Sequence, residues 1–321
     1  CRPRLTRPAP ERHGPAIRRR ECGRFQNGEQ RRLAGPRRWG AFVQLRPSVD
    51  QQHRSDRGEL HQQRGDKHER QRVAQGHSKI AVLLRFERLE GHEYEHEEQD
   101  YKIEKFYLGS HALHGIQYDA VYSIESTHLD AYHASVMLVY HYKGTDKGFP
   151  FPYSMHLKWT LKTNNIIVVT TALTNHYHHA IPMMDGWHPY FQLGNSIQDC
   201  TIQFKNKGKI EYDEQLLPTG KIFADDTFDE GKVLDNMHLD DCWMIDETAP
   251  NCTIQKEHQK IIITPIANYP YIQLYTPEDR KSIAIENLSA APNCFNNKMG
   301  LHLVKPHETW ELVTSYQYII K

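Results

Sequence analysis

The sequence predicts an all-β fold over residues 78–321, a large antiparallel β-sandwich, preceded by an anomalous segment at residues 1–77. Three observations predict it. Short runs rich in β-branched and aromatic residues recur roughly every ten to twelve residues. Clusters of Gly, Pro, Asn and Asp punctuate them. No run sustains the apolar period of a helix long enough to alternate with strands, which argues against βαβ units.

The runs, in order, are "ASVMLVYHY", "SMHLKWTL", "NNIIVVTTALTNH", "CTIQFKN", "CTIQKEHQKIIITPI", "YIQLYTP", "SIAIENL" and "TWELVTSYQYII". Period-2 alternation in the second places Met155, Leu157, Trp159 and Leu161 on a core face and His156, Lys158 and Thr160 opposite. Between the runs, "KGTDKGFPFP", "KTNN", "LPTGK" and "TPEDRK" read as loops or hairpin connections.

Composition divides the chain. Residues 1–88 carry 20 Arg, 2 Lys and 9 acids, whereas a single arginine, Arg280, faces 17 lysines beyond Arg88. The basic part has almost no apolar periodicity and cannot build a core. A disordered arm binding phosphate backbones is one account of it. The favoured one is an upstream frame error in an A-rich gene, so that residues 1–77 are expected not to be native to the protein and no nucleic-acid partner is expected. Six cysteines without a CxxC pair form neither a disulfide framework nor a structural zinc site. No apolar run reaches the length of a membrane span and no export signal is legible, so a cytoplasmic location is expected.

Four segments combine polar residues with apolar surroundings: "SHALHGIQYD", "DGWHPYFQL", "HLDDCWMI" and "IAIENLSAAPNCFNN". In "DGWHPYFQL" the histidine, His188, precedes Pro189, which holds its backbone extended and presets its direction. Trp187 and Tyr190 beside it are expected to offer an apolar platform, core packing being the alternative. His114 precedes a glycine, which allows a tight turn or a close ligand. Strand parity sets Glu286 opposite Ile283 and Ile285, with Ala284. Asp240 and Asp241 adjoin an indole, a composition common in sugar sites. The cluster "NHYHHAI" sets His176 and His178 on one strand face, but without a third ligand at sensible spacing no metal site is expected.

From about Ser78 onward the chain resembles the aldose 1-epimerases of the galactose mutarotase-like family. The resemblance rests on four ordered motifs: "HALHG", "HPYFQL", "LDDCW", and "IAIENLSAAPNCFNN" followed by "GLHLVKPHE". It implies a supersandwich fold, Glu286 as catalytic base, His188 as catalytic acid and His114 assisting at the ring oxygen. It further implies that Asp240 binds sugar hydroxyls, with Arg88 in "SKIAVLLRFERLEGHEY" at the family's arginine and Arg85 the weaker choice. Two departures stand out. "LLRFER" replaces the usual proline-containing approach to the arginine, and "KPHE" stands where the family commonly has Pro-Gly-Glu.

The implied reaction interconverts the α and β anomers of free hexoses such as glucose or galactose. A base removes the anomeric hydroxyl proton, an acid protonates the ring oxygen, and the C1–O5 bond opens; side-chain proton transfers suffice, so neither cofactor nor metal is required. Two competing readings are epimerisation of a hexose phosphate, which would need a cationic clamp, and a non-catalytic carbohydrate-binding sandwich.

Overall fold

The computed structural model describes residues 82–83, 88–104, 107–108, 111–113, 115–117 and 120–320. Residues 1–77 and His114 lie outside the described residues, and so do the expectations attached to them.

In chain order the strands are β1 (Val82–Leu83), β2 (Glu93–His96), β3 (Gln99–Lys102), β4 (Tyr107–Leu108), β5 (His111–Ala112), β6 (Ser123–Leu129) and β7 (His133–Tyr142). Next come β8 (Tyr153–Lys162), β9 (Ile166–Asn175), β10 (Ile181–Met183), β11 (Gly186–Trp187), β12 (Tyr190–Phe191), β13 (Thr201–Gln203) and β14 (Asn206–Tyr212). They continue with β15 (Pro218–Phe223), β16 (Lys232–Val233), β17 (Asp240–Ile245), β18 (Cys252–Lys256), β19 (Gln259–Ala267) and β20 (Tyr271–Tyr275). The last are β21 (Ile283–Leu288), β22 (His302–Val304) and β23 (Thr309–Ile320).

An eight-stranded sheet runs β1-β11-β21-β20-β17-β14-β15, with β12 also paired to β21; a nine-stranded sheet runs β16-β13-β18-β19-β23-β9-β8-β7-β6. Three two-stranded pairs, β2 with β3, β4 with β5 and β10 with β22, complete the described pairings. The expected all-β sandwich is present. Turn chemistry sets the hairpin registers: consecutive left-handed residues Asn164 and Asn165 join β8 to β9, the signature of a tight turn that matches strand twist. "CTIQKEHQKIIITPI" folds back as β18 and β19 about Glu257, which is also left-handed.

Alternation in β8 holds at Met155 and Leu157, which are buried, and breaks down toward the hairpin end, where Trp159 is half-buried, Thr160 on the opposite face is buried and Leu161 is 55% exposed. "LPTGK" is a correction to the loop reading. It enters β15, the edge strand beside β14, where Pro218 comes first and its missing N–H leaves no gap in the ladder. One short helix, α1 (Cys294–Asn297), lies in "SAAPNCFNN" between left-handed Asn293 and Lys298. In "KPHE" the turn survives the loss of glycine, since His307 itself takes φ 62° and donates its N–H to the Asn175 carbonyl at 3.0 Å. Histidine enters that region more readily than most residues.

The main core lies between the two sheets. Across the eight-stranded sheet, Trp187, Asn287, Ile272 and Trp243 stand in register and so share one face. That face meets the nine-stranded sheet: Trp187 packs edge-on against Trp159 of β8, centroids 5.3 Å apart, and Asn287 donates to Thr314 Oγ1 of β23 at 2.6 Å. Each fully buried large apolar side chain there contributes roughly 1.5–3 kcal/mol over exposure.

The segment around α1 packs against the β2–β3 hairpin and the residues leading into it. Glu90 N–H donates to Asn293 Oδ1 at 3.2 Å, Asn296 Nδ2 donates to the Glu93 carbonyl at 3.1 Å, and Phe295 packs edge-on against Tyr94.

Candidate active site

Trp187 pairs with Asn287 and Tyr190 with Ala284, so the intervening His188 lies opposite Glu286. The register brings the two residues together from β21 and from the junction of β11 and β12. Nδ1 of His188 lies 2.9 Å from Oε1 of Glu286, with the side chains 12% and 2% exposed.

Register then extends the site sideways. Glu286 pairs with Gln273 on β20, and Gln273 Nε2 donates to Asp240 Oδ1 of β17 at 2.9 Å. Tyr212 Oη donates to Gln273 Oε1 at 3.1 Å. Arg88 reaches the same carboxylate, its Nη2 lying 3.0 Å from Asp240 Oδ2 while Nη1 donates to the Leu216 carbonyl at 3.0 Å. Arg88 holds this position with φ 51°, an unusual conformation for a long side chain. His188, Glu286, Gln273, Asp240 and Arg88 thus form one continuous polar stripe.

Neighbouring acids part company because strand residues alternate. Asp241 turns to the other face, where Lys209 Nζ lies 2.9 Å from its Oδ1 and 5.2 Å above the Trp243 ring. Tyr190, two residues from His188, stacks on it with ring centroids 4.7 Å apart, and its Oη lies 3.4 Å from His188 Nε2.

Trp187 requires a correction. Adjacent to His188 on a strand, it points to the core face; its indole has no exposed surface and Nε1–H donates to Tyr269 Oη at 2.8 Å. A sugar cannot stack on a ring enclosed between two sheets. Gln273 was overlooked in the sequence. Its signal was a single amide in "YIQLY" at the same parity as two tyrosines.

The histidine cluster also differs from its sequence reading. β9 ends at Asn175, so His176 and His178 lie in a turn rather than on a strand face; His176 Nε2 contacts Ser154 Oγ at 2.9 Å. Among the described residues, His128, Asp130 and His133 do converge within metal-ligand reach, on the exposed β6–β7 turn. There Asp130 Oδ1 accepts the Tyr132 and His133 amides at 2.7 and 2.8 Å, a role that the turn itself explains. Cys200, Cys242, Cys252 and Cys294 are buried free thiols.

The family model described as aldose 1-epimerase matches residues 66–317, and the chain belongs to that family. The match begins ahead of the boundary expected at residue 78. An uncharacterized protein of Escherichia coli K12, YihR, is 25% identical over 169 residues, covering 50% of this chain and 55% of that protein. The chain therefore spans about half the length of this curated relative.

Among solved structures, a galactose mutarotase-like protein from Clostridium acetobutylicum superposes with a TM-score of 0.68 at 18% identity, covering 76% of this chain and 80% of that one. Galactose 1-epimerase from Lactobacillus acidophilus gives 0.64 at 15% identity, covering 79% and 83%. Both carry the galactose mutarotase-like fold, and at these identities they establish the fold alone. No helix among the described residues is long and apolar enough to cross a membrane.

Proposed function

We propose that this chain is an aldose 1-epimerase that interconverts the anomers of free hexoses such as glucose or galactose. The observation that carries the reading is the 2.9 Å approach of His188 and Glu286 at one end of a polar stripe. In a pyranose, O1 and O5 are bonded to the same carbon, so an acid and a base serving them must be close neighbours. A sugar engaging both groups replaces their direct contact.

Glu286 takes the O1 proton as His188 gives a proton to O5; the C1–O5 bond breaks and an aldehyde forms. Rotation about C1–C2 presents the other carbonyl face. On closure His188 recovers its proton from the O5 hydroxyl while Glu286 returns one to O1, so the protein ends as it began. Family resemblance adds His114 as an assistant at O5. Asp240, Gln273 and Arg88 then bind the remaining hydroxyls, the carboxylate held open to them by its two neighbours.

The stripe offers a test of this division of labour. Asp240→Asn keeps the shape but weakens a charged hydrogen bond, which is worth about 1.5–3 kcal/mol. KM is expected to rise by roughly tenfold or more, with kcat within a few-fold of the parent, in initial rates of anomer relaxation at several sugar concentrations. A collapse of kcat at unchanged KM would move Asp240 from binding into the chemistry.

A further inference from the structure

We infer that Asp185 and Tyr269 form a buried positioning pair that fixes the strand carrying His188 against the strand carrying Glu286. The inference rests on the reading of those two residues as acid and base. Asp185, which opens "DGWHPYFQL", is 2% exposed.

Its main chain closes one end of β21: Ser289 N–H donates to the Asp185 carbonyl at 2.9 Å, and Asp185 N–H donates to Ser289 Oγ at 2.9 Å. Its side chain closes a second ring of contacts. Tyr269 Oη, from the β19–β20 connection, donates to Asp185 Oδ2 at 2.5 Å and accepts the Trp187 indole N–H at 2.8 Å. The path from Asp185 along the chain to Trp187, through the indole, and back through the phenol is therefore closed.

That ring ends one residue before His188. Because Trp187 is locked on the core face, the next Cα–Cβ bond is directed to the outer face. Glu286 is braced in the same way, by its neighbour Asn287, which is tied to Thr314 and is the register partner of Trp187. Both proposed proton-transfer residues thus follow or precede a core residue held by a buried hydrogen bond.

Stability does not explain this carboxylate. The groups acting on it are the Tyr269 phenol, the Thr171 hydroxyl, which faces it without hydrogen-bond geometry, and the Gly186 amide. The phenols of Tyr122, Tyr153 and Tyr316 also feel its charge. None of these is a cation, and burial pushes the carboxyl up to about 7 despite the hydrogen bonds. A buried acid without a cationic partner is a net cost to folding. Its return is the fixed geometry of the neighbouring residue.

The test uses Tyr269→Phe, which removes the oxygen shared by both contacts and keeps the ring, with Asp185→Ala and Asp185→Asn beside it. Small misplacements of reacting groups cost up to about a hundredfold in rate. Tyr269→Phe and Asp185→Ala are expected to lower kcat for anomer relaxation about tenfold or more while KM stays within about threefold. Asp185→Asn retains an acceptor for the phenol and is expected to restore kcat to within about threefold of the parent.

The His188 ring 15N shifts, read by NMR in the same samples, report position without reference to activity. They should move in Tyr269→Phe and Asp185→Ala and return in Asp185→Asn. Folded Tyr269→Phe with parental kcat and unmoved His188 signals overturns the inference. If the parent protein lacks epimerase activity but the His188 signals still move, the positioning pair stands and the functional reading fails.

Discussion

Glu286→Gln is expected to lower the rate of anomer interconversion at least about a hundredfold, because it removes the proton acceptor while preserving side-chain volume. A positioned acid or base typically contributes about 10²–10⁴-fold. His188→Asn should act comparably, and since the two groups work in one step their losses should not multiply in the double variant. Folding should survive both changes: the two side chains occupy the outer face of the eight-stranded sheet, away from the Trp187 to Trp159 packing that joins the sheets. Rates are read by polarimetry on freshly dissolved α-anomer. Near-parental turnover in Glu286→Gln would remove this residue from the role of base.

The second large effect is on stability. Burial raises the folded-state carboxyl of Asp185 to about 7 from an ordinary value of 3.8. Between those values the folded protein binds a proton that the unfolded chain has released. The resulting stabilisation is complete below the unfolded value, falls as pH rises through the window, and is gone above the folded value. Across the whole window it amounts to roughly 4 kcal/mol, with about 2–3 kcal/mol of it lost between about pH 5 and about pH 8. Asp185→Asn does not titrate, so its unfolding free energy should lack this decline. Denaturant unfolding of parent and variant at the two pH values isolates the difference, because other titrating groups are common to both. Parallel pH dependences would show that Asp185 is charged throughout.

Much of the fold was legible because alternation is a local signal wherever one strand face meets a core. β8 is the clearest case at Met155 and Leu157, and its pattern breaks down at the hairpin end, where Thr160 is buried and Leu161 exposed. Parity also separated Glu286 from Ile283 and Ile285 correctly. What it could not reveal is that the Glu286 face is buried as well: every residue of β21 is buried, whichever way it points.

The same limit applied to Asp240 and Asp241. Period 2 says that they face opposite ways, but only pairing with β20 shows which one joins Gln273. Trp187 is different, because the rule that moved it was already available: neighbours on a strand cannot both face a groove, and His188 claimed the outer side. "LPTGK" failed for another reason. Pro218 and Gly220 are loop formers by propensity, but an edge strand tolerates both.

Anomer relaxation itself tests the central claim most directly. Folded protein spanning residues 66–317 or more, at about micromolar concentration, is mixed with fresh α-D-glucose or α-D-galactose and the optical rotation is followed against a buffer blank. Accelerated relaxation of at least one of the two sugars, unchanged by EDTA, is the expected result. Relaxation no faster than the blank for both sugars would contradict the account and leave the polar stripe as a site that binds carbohydrate without transforming it.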